Sequence, residues 1–316
     1  MGGRSNVAEP QRQGHVEEDN IAAASLSSHQ PIRRGQERPV TTMTSEAKQT
    51  QCGGGESSQL QPQAVFGYCL MPGLRGIPME DFHVAEVREI DGEEVGMFAI
   101  YDSHGGDAVA RYLQENLFRN ILHGGGVGSD PAGATRDAYL LTDRKILESV
   151  IGRGGSTAVT ALLSENGGRL IVANVGDSRA VLSKDGKAVQ VSVDHDPGRP
   201  VERANVEARG GIVTHMPGDS WRVDGQLSIA RAFGDKVLKE HMSAKPDVAD
   251  LVVDLSCEAL ILGSNGLWSV FDNQEVVDIV RSVGDPAKAA HDLVHEARHR
   301  FSEDDISCVV IEFHEV

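Results

Sequence analysis

Cysteine is scarce in this 316-residue chain. The four present, Cys52, Cys69, Cys257 and Cys308, lie far apart and form no CxxC pair. That spacing suggests neither a zinc ribbon nor a disulfide framework, so reduced thiols and a cytoplasmic or nuclear address are expected. Long apolar runs are also missing. None approaches the ~20 residues needed to span a bilayer, and the polar start MGGRSNVAEP has no apolar signal core. Gly2 is followed by Asn6, where a myristoylation motif needs Ser or Thr, so no lipid anchor is expected. There is no internal repeat and no GxxxxGK(S/T) loop, which disfavours a nucleotide-driven enzyme. Basic residues are outnumbered, 30 against 47 acidic, for a formal charge of -17. Nucleic-acid-binding faces gather the opposite sign. The expectation is a soluble monomer with neither nucleic acid nor membrane as partner.

The composition, 40% hydrophobic and 24% charged, allows one large domain whose core needs no covalent staple. Residues 1–63 are rich in Gly, Ser, Gln and Glu without a sustained apolar period, and read as a disordered tail. Residues 64–316 read as the domain. FHVAEVREI and EVGMFAIYD alternate as strands around an Asp91-Gly92 turn, which places Asp81 and Asp102 at strand ends. AVARYLQENLFRNIL carries apolar residues three and four apart and predicts an amphipathic helix, with a second within 132–149. STAVTALL, RLIVANV and RAVLS predict short strands separated by turns at Asn166-Gly167 and Gly176-Asp177. ALILGS is a buried strand, NQEVVDIVRSV and PAKAAHDLVHEARHRF are helices, and ISCVVIEF closes a sheet. Strands and helices segregate, so the fold class is α+β.

Acidic or amide residues stand beside strand ends and glycine turns at Glu80-Asp81, Asp102, Asn265 and Asp304-Asp305. Hard divalent cations favour such oxygen donors, and any single acid there could equally form a turn or cap. Together, PMEDFHVAE, FAIYDSHGG, GGSTAV, ANVGDSRAVL, VDHDP, RVDGQLSIARAFGD, LILGSNGLW, NQEVVD and DDISCVVIEF occur in the order shown by type 2C protein phosphatases, especially plant ones. The resemblance spans roughly residues 65–313. It implies a four-layer α/β/β/α sandwich of two antiparallel sheets flanked by helices, with the site between the sheet edges. It also implies hydrolysis of phosphoserine and phosphothreonine in phosphorylated protein substrates, by water activated between two Mg2+ or Mn2+ ions. By the same resemblance Asp102 bridges the ions, the Ser103 carbonyl and Asp304 are ligands, Glu80 and Asp81 hold metal-bound water, and His104 is the general acid. Asp177 matches a carboxylate of a third ion site, or pairs with Arg179.

The chain departs from that pattern at several points. Asn265 stands where the family has a ligand aspartate, which weakens the first-ion site. Ser103 stands where glycine is usual, Ser269 where many relatives have aspartate, and Gly76 where some have a phosphate-binding arginine, with Arg75 one residue away. The departures raise an alternative, an inactive pseudophosphatase that binds partners through the retained fold. His295, Glu296 and His299 match HExxH, with His291 a turn earlier; a solvated helix face fits them better than a zinc peptidase. Asp194 and His195, like Arg231 and Asp235, read as structural turn and ion-pair elements. Trp268 reads as packing behind the metal loop.

Overall fold

A computed structural model of the chain describes residues 50–124, 129–149, 154–164 and 168–314. Strand Phe82–Ile90 pairs antiparallel with Glu93–Tyr101, from Ile90 opposite Glu93 to Phe82 opposite Tyr101. Between them Asp91 and Gly92 have φ of 54° and 87°, the left-handed pair that a tight hairpin turn needs to match strand twist. Asp81 and Asp102 therefore emerge side by side, immediately beyond the last paired residues. Glu93–Tyr101 continues through Ala158–Ser164 and Arg169–Val175 to Asp247–Val252, completing a five-stranded antiparallel sheet.

The second sheet has the order Gln51–Glu56, Gln63–Met71, Ile306–His314, Cys257–Gly263, Arg179–Lys184, Lys187–Gln190. It alters several expectations. The sheet begins at Gln51, and Leu60 is buried, so residues 50–63 belong to the folded part and not to the tail. Residues 1–49 and the turn at Asn166-Gly167 lie outside the described residues. Cys52 and Cys69 form a disulfide across the first two strands, contrary to the expectation of reduced thiols. They are partners in strand register, a proximity that sequence spacing does not display. Arg179–Lys184 pairs with Cys257–Gly263, not with Arg169–Val175, so the chain changes sheets at Gly176-Asp177. Ile306–His314 runs through the sheet interior, between Gln63–Met71 and Cys257–Gly263.

Period-two alternation explains the layers, because successive residues of a strand face opposite ways. Phe98 and Ile100 join Leu260, Leu262, Val309 and Ile311 between the two sheets. Met97, Ala99 and Tyr101 turn the other way, onto helices Ala108–His123 and Pro131–Glu148. Ala259, Ile261, Cys308 and Val310 likewise face helices Asn273–Val283 and Pro286–His299. A strand buried on both faces has no polar side to show, which is why these segments read as continuous apolar runs. The result is the expected helix, sheet, sheet, helix sandwich. The last two helices are separated by Gly284, left-handed at φ 65°, and Asp285, whose side chain accepts from Lys288 N ahead of Pro286; these are paired stop and start signals.

A small lobe that the periodicity did not announce lies between the two sheets' strands in sequence. Helix Pro200–Ala208 and the hairpin Val213–His215/Trp221–Val223 surround their own core of Val206, Val213, Val223, Ile229 and Met242.

Candidate metal centre

Two pairs of strand ends meet at one edge of the sandwich. Asp81 and Asp102 leave the five-stranded sheet at the open end of the Phe82–Ile90/Glu93–Tyr101 pair, opposite the Asp91-Gly92 turn. Asn265 and Asp304 flank the paired residues Gly263 and Cys308 of the other sheet. Ser264 fastens the second pair: its N–H donates to Ser307 O at 3.0 Å, its hydroxyl donates to Asp305 O at 3.1 Å, and it accepts from Ser307 N–H at 3.0 Å. Ser307 joins the pairs by donating its hydroxyl to Asp81 Oδ2 at 2.6 Å. Asp305, adjacent to the candidate ligand Asp304, performs a backbone task. Its carboxylate accepts from Gly73 N–H at 2.9 Å and Glu80 N–H at 2.7 Å, which carries the PMED loop to the site.

A cleft of about 370 Å³ is lined by Glu80, Asp102, Ser103, His104, Asp177, Asn265 and Asp304, with Arg75 and Arg222 at its margin. Asp81 is buried behind it. Of the residues nominated from sequence, Asp102, Ser103, His104, Glu80, Asn265 and Asp304 thus share one cleft wall. Asp102 and Asp81 have carboxyls pushed well above the ordinary range, first by burial. Neighbouring acids add to this: Asp81, Asp177 and Asp304 for Asp102, and Asp305 and Asp304 for Asp81. Asp177 is pushed up to about 6, again mainly by burial. Asp81 Oδ1, Asp102 Oδ2 and Asn265 Oδ1 are all buried without a hydrogen-bond partner. Buried oxygens are ordinarily satisfied, so their clustering here indicates places for a ligand.

Individual assignments are resolved by contacts. Ser103 lies in a short strand opposite Ser156 and is not among the residues of left-handed φ, so serine brings no backbone strain at this position. Its hydroxyl lies 2.7 Å from Gly106 O and 3.0 Å from Gly155 O, the two acceptors that share its single proton. Asp177 does not pair with Arg179, which reaches Asp194 at 2.6 Å and Asn273 at 2.7 Å. The Asn265 side chain stands beside Asp177 and offsets part of the upward push of burial on its carboxyl. Arg75, one residue from the arginine position of some relatives, reaches Asp304 Oδ1 at 3.0 Å. Sequence reading left it outside the site because loop geometry, not spacing, decides where a long side chain ends.

Away from the cleft, His195 is fully buried, accepts from Gly176 N–H at 3.0 Å, and meets Asp247 at 2.8 Å. Glu202, which with His195 and Asp247 makes a metal-sized trio, is occupied by Arg231 at 2.6 Å. Arg231 also lies 3.2 Å from Asp247. This is an ion-pair network with its cation built in, as expected for Arg231 and His195. The HExxH helix buries Ala290, Leu293, Val294 and Ala297 and leaves His291 and His299 exposed, while Glu296 pairs with Arg300 at 3.0 Å. Trp268 is buried and donates Nε1–H to Gly263 O at 3.0 Å. It therefore buttresses the strand that delivers Asn265.

A profile of the Protein phosphatase 2C family matches residues 72–306, the stretch that contains every element of the cleft. The chain belongs to the protein phosphatase 2C family. It is 53% identical over 248 residues to probable protein phosphatase 2C 10 of Arabidopsis thaliana, covering 78% of this chain and 87% of that one. It is 51% identical over 266 residues to probable protein phosphatase 2C 41 of Oryza sativa subsp. japonica, covering 84% and 93%. Its fold matches the crystal structure of serine-threonine phosphatase 2C from Toxoplasma gondii with a TM-score of 0.68 at 21% identity, covering 84% of this chain and 99% of that one. The protein is accordingly a metal-dependent serine/threonine protein phosphatase of a Mg2+/Mn2+-dependent family, with phosphoproteins as its substrate class.

Proposed function

We propose that this phosphatase hydrolyses phosphoserine and phosphothreonine esters in the cleft formed by Asp102, Asn265 and Asp304, with a metal centre weakened at Asn265. The observation that carries the reading is the set of buried, unpartnered oxygens on Asp81, Asp102 and Asn265, beside carboxyls raised by burial and then by one another's proximity. Such an all-oxygen set suits hard cations such as Mg2+ or Mn2+ and not a thiophilic metal.

Asp102 and Asp304 would supply anionic ligands, the Ser103 carbonyl a backbone ligand, and Asn265 a neutral oxygen. Glu80 and Asp81 would orient the surrounding water. When bound, two divalent ions supply positive charge that makes a water nucleophilic near neutral pH and neutralises phosphate oxygens. Asp102 is held for this by its backbone, whose carbonyl accepts from Thr157 N–H at 2.8 Å. His104 lines the same cleft and would protonate the departing alkoxide, a task suited to imidazole. Arg75 and Arg222, at the cleft margin, provide guanidinium groups for the substrate phosphate. Asn265 lowers metal demand on neither side of the reaction; it removes one anionic ligand and so raises the metal concentration required.

No contact among the described residues favours the inert-scaffold alternative, because Asp102, His104 and Asp304 still face one cleft. The deciding experiment is Mn2+- and Mg2+-titrated hydrolysis of a phosphothreonine peptide by wild type and Asp102→Ala. Metal-dependent turnover in wild type, lost in Asp102→Ala, is expected. Wild type that is inert at saturating Mn2+ but turns over as Asn265→Asp would make the native chain a pseudophosphatase.

A further inference from the structure

Asp235, in ARAFGD, reads from sequence as a structural turn residue, yet its carboxylate embraces the candidate general acid. His104 Nε2 lies 3.0 Å from Asp235 Oδ1 and 2.9 Å from Oδ2. We infer that Asp235 is a positioning residue for the reaction: by holding Nε2 it orients the His104 ring so that Nδ1 delivers the proton to the leaving alcohol. The inference rests on the reading of His104 as the general acid.

The surroundings are constructed to keep this pair together. Three short strands form a ladder in which Phe233 and Gly234 pair with Ser156 and Gly155, which pair in turn with Ser103 and His104. Asp235 and His104 thus stand on opposite sides of Gly155. A Cβ on Gly155 would lie 2.1 Å from Asp235 Oδ2, so the second glycine of GGSTAV is the opening through which the carboxylate reaches the imidazole. Asp235 itself takes a left-handed φ of 48° and donates its N–H to Gly154 O at 3.0 Å. A left-handed non-glycine residue persists only where its neighbours dictate it. They do so here: Gly234 N–H donates to Asp143 at 2.9 Å, and Lys239 bridges Asp143 at 3.0 Å and Ala232 O at 2.6 Å. Asp235 is buried, whereas His104 is part-exposed in the cleft.

The chemistry assigns the nitrogens. A carboxylate accepts hydrogen bonds, so the hydrogen between the pair is on Nε2, and Nδ1 is the remaining ring nitrogen. In hydrolysis the water oxygen bonds to phosphorus and the phosphorus–alkoxide bond breaks. The alkoxide takes one proton from Nδ1, leaving a neutral imidazole with Nε2–H still on Asp235; solvent then restores the Nδ1 proton. A seryl or threonyl alkoxide is a poor leaving group and requires that proton. An aryl leaving group does not.

This difference supplies the test. With Mn2+-loaded full-length protein, kcat and KM are measured for a phosphothreonine peptide and for p-nitrophenyl phosphate in wild type, Asp235→Asn, His104→Ala and the double variant. Asp235→Asn is expected to lower kcat on the peptide by about 10- to 100-fold with little change in KM, within the range that general acids contribute. The aryl ester should lose under about threefold, and the double variant should match His104→Ala. Equal losses on both substrates, or multiplicative losses in the double variant, would overturn the inference. If His104→Ala itself fails to separate the substrates, the general-acid reading falls and takes this one with it. If His104→Ala separates them and Asp235→Asn does not, only the positioning role is lost. Nitrogen NMR of the metal-free protein gives a readout independent of turnover. The His104 signal, identified by its loss in His104→Ala, should show the Nε2–H tautomer in wild type and a tautomer mixture in Asp235→Asn; an Nδ1–H tautomer in wild type would refute the assignment.

Discussion

Restoring the carboxylate in Asn265→Asp should move metal affinity and metal-free stability in opposite directions. Asn265 Oδ1 is buried beside Asp102 and Asp177, so a new charge there is close both to the ions and to other acids. At an effective dielectric of ~20, unit charges ~4 Å apart interact by about 4 kcal/mol, and a divalent ion doubles that. Desolvation of the new carboxylate and repulsion from its neighbours offset most of the gain. A net of about 1.4–2.8 kcal/mol remains, or roughly 10- to 100-fold tighter Mn2+ binding. Without metal the same substitution adds a carboxyl to a cluster already raised by burial, and replaces the neutral amide beside Asp177 with a like charge. The metal-free variant should therefore melt below wild type. Calorimetric Mn2+ titration of metal-stripped protein, paired with thermal melts with and without Mn2+, measures both signs. Unchanged Mn2+ affinity, or a metal-free variant that melts higher than wild type, would refute the placement of Asn265 among the ligands.

Asp305→Ala leaves the Gly73 and Glu80 amides without their acceptor, and should cost about 1–3 kcal/mol; weaker Mn2+ binding in titration should accompany the lower melting temperature, because the PMED loop loses its anchor. Arg231→Met strands the buried Glu202 carboxylate and should cost about 3–5 kcal/mol by denaturant melts. Mn2+ stoichiometry should not change, and one bound ion more than wild type would show that the His195, Glu202 and Asp247 trio can take a metal once its built-in cation is gone. For pH, Asp177 titrates at about 6 in the folded protein against an ordinary 3.8. The folded state then holds the extra proton in that window, so metal-free stability should fall as pH rises from about 4 to about 6. Bound metal needs ionised ligands, so the stabilisation conferred by Mn2+ should shrink as pH is lowered through about 6. A rising metal-free profile over that range, read from thermal melts, would contradict the burial of Asp177.

Most of the fold is legible in the chain because its signals are local. Asp91-Gly92 dictates a tight turn, the three- and four-residue spacing of Val109, Ala110, Leu113 and Leu117 dictates a helix face, and the Gly284-Asp285-Pro286 junction dictates a stop and a start. The ordered motifs likewise located Asp102, His104, Asn265 and Asp304. Tertiary structure alone decided what depends on registry between distant strands. It made Cys52 and Cys69 neighbours, put Gln51–Glu56 into a sheet, and sent Arg179–Lys184 to a different sheet from Arg169–Val175. The same holds for roles within the site. Asp304 and Asp305 are adjacent acids of one type, but the bend that leads into Ile306–His314 sends Asp305 to the Gly73 and Glu80 amides and leaves Asp304 facing Arg75. Asp235 lies 131 residues from His104, and nothing in ARAFGD announces a partner; only a ladder of three short strands, with a glycine between them, brings carboxylate and imidazole within reach. Residue types along the chain determine which chemistry is available, whereas side-chain direction and strand registry, set only when the sheets pack, determine which groups perform it.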